Sequence, residues 1–206
     1  MAIRLSVENI SKSFGARKVI TDLSFTIAAP GALGIIGRNG SGKTTLLKLL
    51  CHLYRPTRGR IEMMRDDNEI KREDFFYHIK MVSPELALYQ MLTGLENLRF
   101  FATVSGVEFS RPVLEETLDR VGLTGRGNDR VETYSAGMKQ RLKYALSLLT
   151  SPPVLLLDEP TANLDDTGRK IAFEIMRQQR EKRILVIATN EPEDLQNIEQ
   201  IINLDN

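Results

Sequence analysis

The sequence predicts an α/β fold, because short apolar runs with the character of buried strands alternate with segments of helical spacing. Residues 154–157 and 184–188 are continuous apolar runs, which are typical of parallel strands covered on both faces. Residues 32–36 form a third apolar run, followed by a glycine-rich loop and then by the helix formers of residues 46–50. This alternation predicts a sheet with helices packed against it.

Composition places the chain among ordinary globular proteins. Its 206 residues are 42% hydrophobic, which is enough for a substantial core in one large domain or two intimate subdomains. The formal net charge of +1 gives no basic field for nucleic acid. The single Cys51 excludes an intramolecular disulfide and a cysteine metal cluster, and suits a reducing cytosol. We expect no signal peptide, no membrane helix of roughly 20 apolar residues and no appended regulatory domain.

The beginning of the chain has the pattern of antiparallel strands. Residues 3–7 alternate apolar and polar side chains, and residues 19–20 and 23–27 are further strand candidates separated by turn-forming residues. After the first helix, residues 60–63 resemble a strand that returns to this layer. The mixed-charge stretch 65–74 is expected to be a solvated surface turn and helix.

A change of periodicity then divides the chain. Residues 79–83 resemble a strand that Pro84 interrupts, because proline lacks an N–H. Between residues 92 and 149 the spacing becomes helical, which predicts a helical insert before the chain returns to buried strands. We therefore expect a single domain, 1–206, with a core subdomain at about 1–84 and 152–206 and a helical subdomain at about 85–151.

The glycine-rich loop matches the pattern Gly-x-x-x-x-Gly-Lys-[Ser/Thr] between a strand and a helix, which predicts a site for nucleotide phosphates. Its glycines allow backbone amides to point at phosphate oxygens, and the following helix adds the positive end of its dipole. We expect Lys43 to reach the β- and γ-phosphates and the Thr44 hydroxyl to bind the accompanying Mg²⁺. The predicted phosphate-binding residues are Gly37, Arg38, Asn39, Gly40, Ser41, Gly42, Lys43, Thr44 and Thr45.

Two carboxylates end the apolar run at 154–157. Asp158 and Glu159 stand at the carboxyl end of a predicted parallel strand, which is where ligand chemistry occurs in such sheets. Mg²⁺ prefers oxygen ligands, so we expect Asp158 to bind it together with Thr44, directly or through water. We expect Glu159 to orient and deprotonate a water molecule beside the γ-phosphate, with Lys43 as its catalytic partner.

Phe14 is an aromatic residue in the predicted β region that precedes the phosphate loop. It lies in the segment Ser13-Phe14-Gly15, which we expect to be a loop. An exposed aromatic side chain there could stack on a nucleobase. Alternatively, Phe14 could close the edge of the small sheet. The residues alone leave both interpretations open.

A third motif completes a resemblance to a known family. Tyr134-Ser135-Ala136-Gly137-Met138 is followed by Lys139-Gln140-Arg141, a spelling frequent in exporter-type signatures of ATP-binding cassette (ABC) proteins. With the two motifs above, the chain resembles an ABC nucleotide-binding subunit over nearly its whole length. The resemblance implies a P-loop NTPase of ABC type, with a mixed central sheet, an antiparallel β subdomain and an α-helical subdomain. It also implies ATP and Mg²⁺ as cofactors.

The resemblance assigns roles to further residues. It implies that Phe14 stacks on adenine, and that the helix start at Ser135 meets the γ-phosphate held by a second cassette, as a helix start can bind an anion. The residues so implied in the signature are Ser135, Ala136, Gly137 and Met138. Two cassettes, as a homodimer or pseudo-dimer, would enclose two ATP molecules. Residues 162–165 resemble the loop through which protomers communicate, and residues 92–98 resemble the start of the insert that usually faces a transmembrane subunit.

Two positions depart from the family pattern. Where the family has a glutamine after the strand at 79–83, this chain has Pro84 followed by Glu85, which could approach the metal or the attacking water in its place. Where the family has a histidine that contacts the γ-phosphate, this chain has Asn190. Asparagine can donate a hydrogen bond but cannot shuttle a proton. We therefore expect ATP binding and dimer closure to persist while turnover is slow.

The sequence thus predicts the cytoplasmic ATPase subunit of an ABC transporter. We expect an exporter-type subunit that lies peripherally on the cytoplasmic face of the membrane, bound to a separate transmembrane permease, with no direct contact to nucleic acid. In its small size the chain resembles the haem-exporter-like cassettes of cytochrome c maturation. Two alternatives stay open: a soluble cassette that acts on nucleic acid or the ribosome, and a regulatory cassette that binds ATP with weak hydrolysis.

Overall fold

In a computed structural model that describes residues 3–205, the chain divides into two compact units. The first comprises the chain up to Met81, Pro153–Pro160 and the chain from Met176 onward, and the second comprises Val82–Pro152 and Thr161–Ile175. The ends of the predicted domain, Met1 and Asn206, lie outside the described residues, and its subdomain boundaries stay a prediction.

The strands and helices follow the predicted order. The strands are β1 (Ile3–Phe14), β2 (Arg17–Ala28), β3 (Gly31–Ile36), β4 (Arg58–Arg65), β5 (Asn68–Glu69), β6 (Ile79–Val82), β7 (Val154–Asp158), β8 (Ile184–Ala188) and β9 (Gln200–Asn203). The α-helices are α1 (Lys43–Leu50), α2 (Phe75–His78), α3 (Gly94–Val104), α4 (Arg111–Arg120), α5 (Ala136–Leu149) and α6 (Asp166–Lys182).

An antiparallel sheet with strand order β2-β1-β4-β5 opens the first unit. Leu5 pairs with Ile27 on one side and with Met63 on the other, and all three side chains are buried. The alternating pattern therefore places one face of β1 in the core, as predicted. Phe14 was predicted in a loop, but it is the last residue of β1 and pairs with Arg17 across a tight turn.

A second sheet with strand order β6-β7-β8-β3-β9 carries the site. β3 pairs in parallel with β8 and β9, and β7 pairs in parallel with β8. Every residue of β7 and β8 is buried, which explains why both strands are apolar apart from Asp158 at the end of β7. Because these strands are parallel, their carboxyl ends lie along one edge of the sheet. The predicted fold class is confirmed, and among the described pairs the antiparallel ones belong to the first sheet.

The second unit is mainly helical. Helix α3 begins with a capping box, in which the Thr93 hydroxyl accepts from the Glu96 amide and the Glu96 carboxylate accepts from the Thr93 amide. Helices α3, α4 and α5 contact one another, and the apolar side chains between them include Leu98, Leu114 and Leu142, all with no exposed surface. Over residues 3–205, no helix combines the length and the apolar character needed to cross a membrane.

Candidate phosphate and metal site

The phosphate loop connects the end of β3 to the start of α1. Gly37 has φ 148°, Gly40 has φ 84° and Gly42 has φ 110°, a region that side-chain-bearing residues avoid. A Cβ on Gly42 would lie 2.7 Å from Val19 Cγ1, so a larger residue would also collide with β2. Helix α1 starts at Lys43 without a side-chain cap, and its first amides can therefore donate to an anion.

Thr44 and Asp158 meet at the start of α1 and the end of β7. The Thr44 hydroxyl donates to Asp158 Oδ2 at 2.7 Å, and Asp158 is buried. A hydroxyl and a carboxylate oxygen side by side form a donor set suited to a hard divalent cation. No group of three or more histidine, cysteine or acidic residues suited to a metal occurs within residues 3–205. Thr44 and Asp158 are the residues that would hold such a cation.

Glu159 follows β7 in a left-handed backbone conformation with φ 49°. Its amide donates to the Ala188 carbonyl at 2.8 Å, which extends the pairing of β7 with β8 and holds the residue in place. Its carboxylate lies 3.8 Å from Lys43 Nζ. Non-glycine residues in this conformation are uncommon and concentrate at functional sites.

Asn190 joins the predicted catalytic residues into one network. Its Oδ1 accepts from Lys43 Nζ at 3.0 Å, and Lys43 also donates to the Gly37 carbonyl at 2.7 Å. The Asn190 side-chain amide donates to Asn39 Oδ1 at 2.7 Å and lies 3.3 Å from Glu159 Oε1. The structure therefore brings Lys43, Thr44, Asp158, Glu159 and Asn190 together, all within the first unit.

The end of the β1–β2 hairpin lies against the phosphate loop. Arg17 Nη2 donates to the Gly40 carbonyl at 3.2 Å. Phe14 pairs with Arg17 in the hairpin, and 46% of its surface is exposed. An aromatic ring that is half exposed beside a phosphate loop is available for a nucleobase. This placement supports the stacking interpretation over closure of the sheet edge.

The sequence analysis missed residues that reach the loop from distant positions. Asp205 accepts from the Arg38 backbone amide with both carboxylate oxygens, at 2.9 and 3.0 Å. The Arg17 contact with Gly40 was missed in the same way. Both contacts join segments far apart in sequence, and neither Asp205 nor Arg17 belongs to a motif. No signal in the sequence marks them.

The signature segment lies in the second unit. Ser135 caps α5, and its hydroxyl accepts from the Met138 amide at 3.2 Å. This confirms the predicted helix cap. A Cβ on Gly137 would lie 3.3 Å from the Asn163 carbonyl oxygen, so a small residue suits this close approach. The signature therefore adjoins the loop at residues 162–165.

Lys143 contacts Ser83 and Pro84, in the segment where the sequence analysis predicts a departure from the family pattern. It is buried on α5 and donates through Nζ to the Ser83 carbonyl at 3.0 Å and to the Pro84 carbonyl at 2.8 Å. Burial lowers the pKa of the Lys143 amine from its ordinary value. Glu85 follows in a turn and is exposed. The backbone of this segment is thus fixed from within the second unit.

Known proteins resemble this chain along most of its length. The sequence pattern of the ABC transporter family matches residues 20–162. YhcH of Bacillus subtilis, an uncharacterized ABC transporter ATP-binding protein, is 37% identical over 188 residues, which cover 90% of this chain and 61% of YhcH. CcmA of Mannheimia succiniciproducens, a cytochrome c biogenesis ATP-binding export protein, is 29% identical over 201 residues, which cover 98% of this chain and 94% of CcmA. The predicted resemblance to cassettes of cytochrome c maturation is thereby confirmed.

A solved structure supports the fold. A dimeric ATP-binding cassette in a post-hydrolysis state, bound to ADP and inorganic phosphate, superposes with a TM-score of 0.83 at 24% identity, covering 97% of this chain and 93% of that one. At this identity the likeness establishes the fold alone. The chain spans between 54% and 61% of the length of the first four curated relatives.

Proposed function

The chain belongs to the ABC transporter family, and from this premise we propose that it binds and hydrolyses ATP to power transport through separate membrane subunits. One observation carries the proposal: Lys43, the Thr44–Asp158 pair and Glu159 lie together at the carboxyl edge of the parallel strands. Lys43 would bind phosphate, the Thr44–Asp158 pair would bind the cation, and Glu159 would bind water.

In this proposal the phosphate loop and α1 hold the triphosphate. Lys43 Nζ has a lysine's three donors, and two of them already point at oxygens of Gly37 and Asn190. Lys43 can therefore exchange these partners for β- and γ-phosphate oxygens without being moved far. Thr44 and Asp158 would hold Mg²⁺, which neutralises phosphate charge when it is bound. The predicted loop residues 37–45 would supply the remaining amide donors.

Glu159 is the residue proposed to act on water. Its backbone is fixed by the bond to Ala188, and its carboxylate is held near Lys43 and Asn190. A carboxylate in that position can orient a water molecule and accept its proton as the bond to the γ-phosphate forms. Asn190 can donate to the same phosphate, but it carries no charge and moves no proton. Slow turnover is therefore part of the proposal.

The signature segment is proposed to act on a second cassette. Ser135 already caps α5, and the helix start at Ala136, Gly137 and Met138 can meet a γ-phosphate bound by the partner. The dimeric state of the cassette with ADP and phosphate supports this arrangement. We propose either a homodimer or a pseudo-dimer, with two ATP molecules between the protomers.

We propose that the protein acts at the cytoplasmic face of a membrane. A cassette of this family acts through transmembrane subunits, and the helical unit that begins near residue 92 is the proposed contact with them. The word export in the name of CcmA supports an exporter, since CcmA is matched over nearly its whole length. In this proposal the membrane subunits, which lie on other chains, select the substrate.

Calorimetric titration with Mg²⁺ and ATP, followed by steady-state phosphate release, tests the proposal. Lys43→Ala is expected to lose most ATP affinity, whereas Lys170→Ala, which alters an exposed lysine of α6, is the matched control and should bind as the wild type does. Glu159→Gln should keep ATP affinity and lose turnover. Absence of ATP affinity in the wild type, or unchanged affinity in Lys43→Ala, would overturn the proposal.

A further inference from the structure

A group of cationic and aromatic side chains surrounds Phe14, and the motifs above do not account for it. The Phe14 and Tyr54 rings form an edge-to-face pair, with ring centroids 5.6 Å apart and planes at 73°. Lys12 Nζ lies over the Phe14 ring at 4.9 Å from its centroid and over the Tyr54 ring at 5.5 Å. Lys48 Nζ lies over Tyr54 at 5.5 Å. We call Lys12, Phe14, Lys48 and Tyr54 the ring cluster.

Hydrogen bonds hold the segment that carries Tyr54 against the end of β1. Lys12 Nζ donates to the Arg55 carbonyl at 2.8 Å. The Thr57 amide donates to the Ser11 carbonyl at 2.7 Å, and the Ser13 amide donates to the Thr57 hydroxyl at 3.1 Å. These three bonds cross between the two segments. Tyr54 therefore has a fixed position beside Phe14 rather than an incidental contact at the surface.

This arrangement leaves part of the Phe14 ring open to a ligand. Lys12 lies over the ring, Tyr54 packs against it edge to face, and 46% of Phe14 is still exposed. An edge-to-face aromatic pair and a cation over a ring each stabilise a defined ring orientation. A ring held in advance loses less rotational freedom when a base stacks on it, so binding is stronger for the same contact.

The ring cluster also connects the Phe14 ring to the phosphate loop. Lys48 belongs to α1, the helix that begins with Lys43 and Thr44. On the other side, Arg17 fixes the end of the hairpin to the Gly40 carbonyl. The distance between the stacking ring and the phosphate groups is thus set by two connections.

We propose that Tyr54 and Lys12 are positioning residues for the nucleobase: they hold the Phe14 ring so that its exposed part stacks on the base while α1 holds the phosphates. This inference rests on the proposed function and deepens it, because it adds a base-positioning group to the phosphate site. An aromatic ring can stack on any nucleobase, because every base has a flat π face. The cluster therefore selects nucleotides over bare polyphosphate, and only weakly ATP over GTP.

The test compares ATP with inorganic tripolyphosphate, each titrated calorimetrically in the presence of Mg²⁺. Tyr54→Leu and Lys12→Met should weaken ATP binding about 5- to 20-fold, a part of the loss expected for complete removal of a base-stacking ring. Their affinity for tripolyphosphate should stay within about twofold of the wild type. Tyr54→Phe keeps the ring edge and should restore ATP affinity. Tyr77→Leu, at a tyrosine of α2 that is 55% exposed, is the matched control.

The outcomes separate this inference from the proposed function. If Tyr54→Leu and Lys12→Met bind ATP as the wild type does while Phe14→Ala does not, neither residue positions the ring and the inference is overturned. Parallel losses for ATP and tripolyphosphate would also overturn it, because the substitutions would then act through the phosphate loop. If the wild type binds neither compound, the proposed function fails and this inference fails with it.

Discussion

At the scale of single residues, Asn190 is the position where we predict that this site departs from the pattern of its family. Its side chain accepts from Lys43 and donates to Asn39, so it connects two residues of the phosphate loop through an uncharged amide. A histidine there could take and return a proton, which asparagine cannot. The geometry of the site is therefore kept while one chemical capacity is missing.

Asn190→His is expected to raise steady-state phosphate release roughly 10-fold, at the low end of what a positioned acid or base contributes. The gain should diminish below about pH 6.5, the ordinary pKa of histidine, because an imidazolium would repel the adjacent Lys43. Asn68→His, at an exposed residue of β5, is the control. A fall in turnover at every pH would mean that the hydrogen bonds from Asn190 to Asn39 and Glu159 matter more than proton transfer.

His52 gives the protein a dependence of stability on pH. It follows α1 with φ 58°, and its ring lies 4.0 Å from that of Phe75. Both ring nitrogens are buried without a hydrogen-bond partner among the described residues. Burial, helped by the charge of Arg72, lowers the pKa of His52 from 6.5 to about 4. Between these two values the unfolded chain binds a proton that the folded chain does not, so stability falls as pH falls through this window.

His52→Asn should flatten this dependence, since asparagine tolerates the left-handed backbone and does not titrate in this range. Because the site is only partly buried, the expected difference between pH 7 and pH 4.5 is on the order of 1 kcal/mol in the free energy of unfolding. Urea unfolding of both proteins at the two pH values measures it. An equal pH dependence in the two proteins would contradict the assignment to His52.

Residue spacing was sufficient to predict the chemical groups of the site. Lys43 and Thr44 follow a loop whose glycines are visible in the sequence, and Asp158 and Glu159 end an apolar run, so motif and strand position identify them together. The role proposed for Tyr54 could not be predicted, because it depends on three hydrogen bonds that join separate segments. Contacts of this kind follow from the tertiary structure and have no local pattern.

At the scale of elements, the start of α3 shows how local sequence fixes a helix. Thr93 and Glu96 satisfy each other's amide groups, which the first turn of a helix would otherwise leave without partners. The sequence analysis placed the start of the helical insert at residues 92–98 by resemblance, and the capping box lies within that range. The sequence did not predict that β1 continues to Phe14, since strand ends depend on pairing with a neighbouring strand rather than on local alternation.

Thr93→Ala should destabilise α3 by about 1 kcal/mol, the usual cost of removing a helix cap. Hydrogen exchange of the amides of residues 94–98 measures the effect within the second unit. Thr103→Ala serves as the control, because that hydroxyl is exposed and donates to the Arg99 carbonyl of the same helix. Equal protection of these amides in the wild type and in Thr93→Ala would show that packing alone holds the helix start.

At the scale of the whole molecule, the two motifs proposed to contact ATP lie in different compact units. The phosphate loop belongs to the first unit and the Ser135 cap to the second. In the proposed dimer, each nucleotide is shared between the loop of one protomer and the cap of its partner. Association should therefore depend on bound ATP and be released by hydrolysis.

Glu159→Gln with Mg²⁺ and ATP is expected to be mostly dimeric, because the nucleotide is held without being cleaved. Lys43→Ala under the same conditions should stay monomeric, and so should Glu159→Gln with ADP. Size-exclusion chromatography with light scattering measures the mass. A Glu159→Gln protein that stays monomeric at saturating ATP would contradict closure by two copies of this chain and favour a pseudo-dimer with a different cassette.

The left-handed backbone conformation of Glu159, the residue proposed to activate water, lowers the stability of the folded protein. A conformation of this kind costs of the order of 1–3 kcal/mol when the residue is not glycine, and the surrounding strands must compensate for it. Glycine at this position should therefore raise the melting temperature of the protein while abolishing phosphate release. Such a variant would be more stable but inactive. This trade-off is expected where selection has kept a reactive carboxylate at the expense of thermal stability.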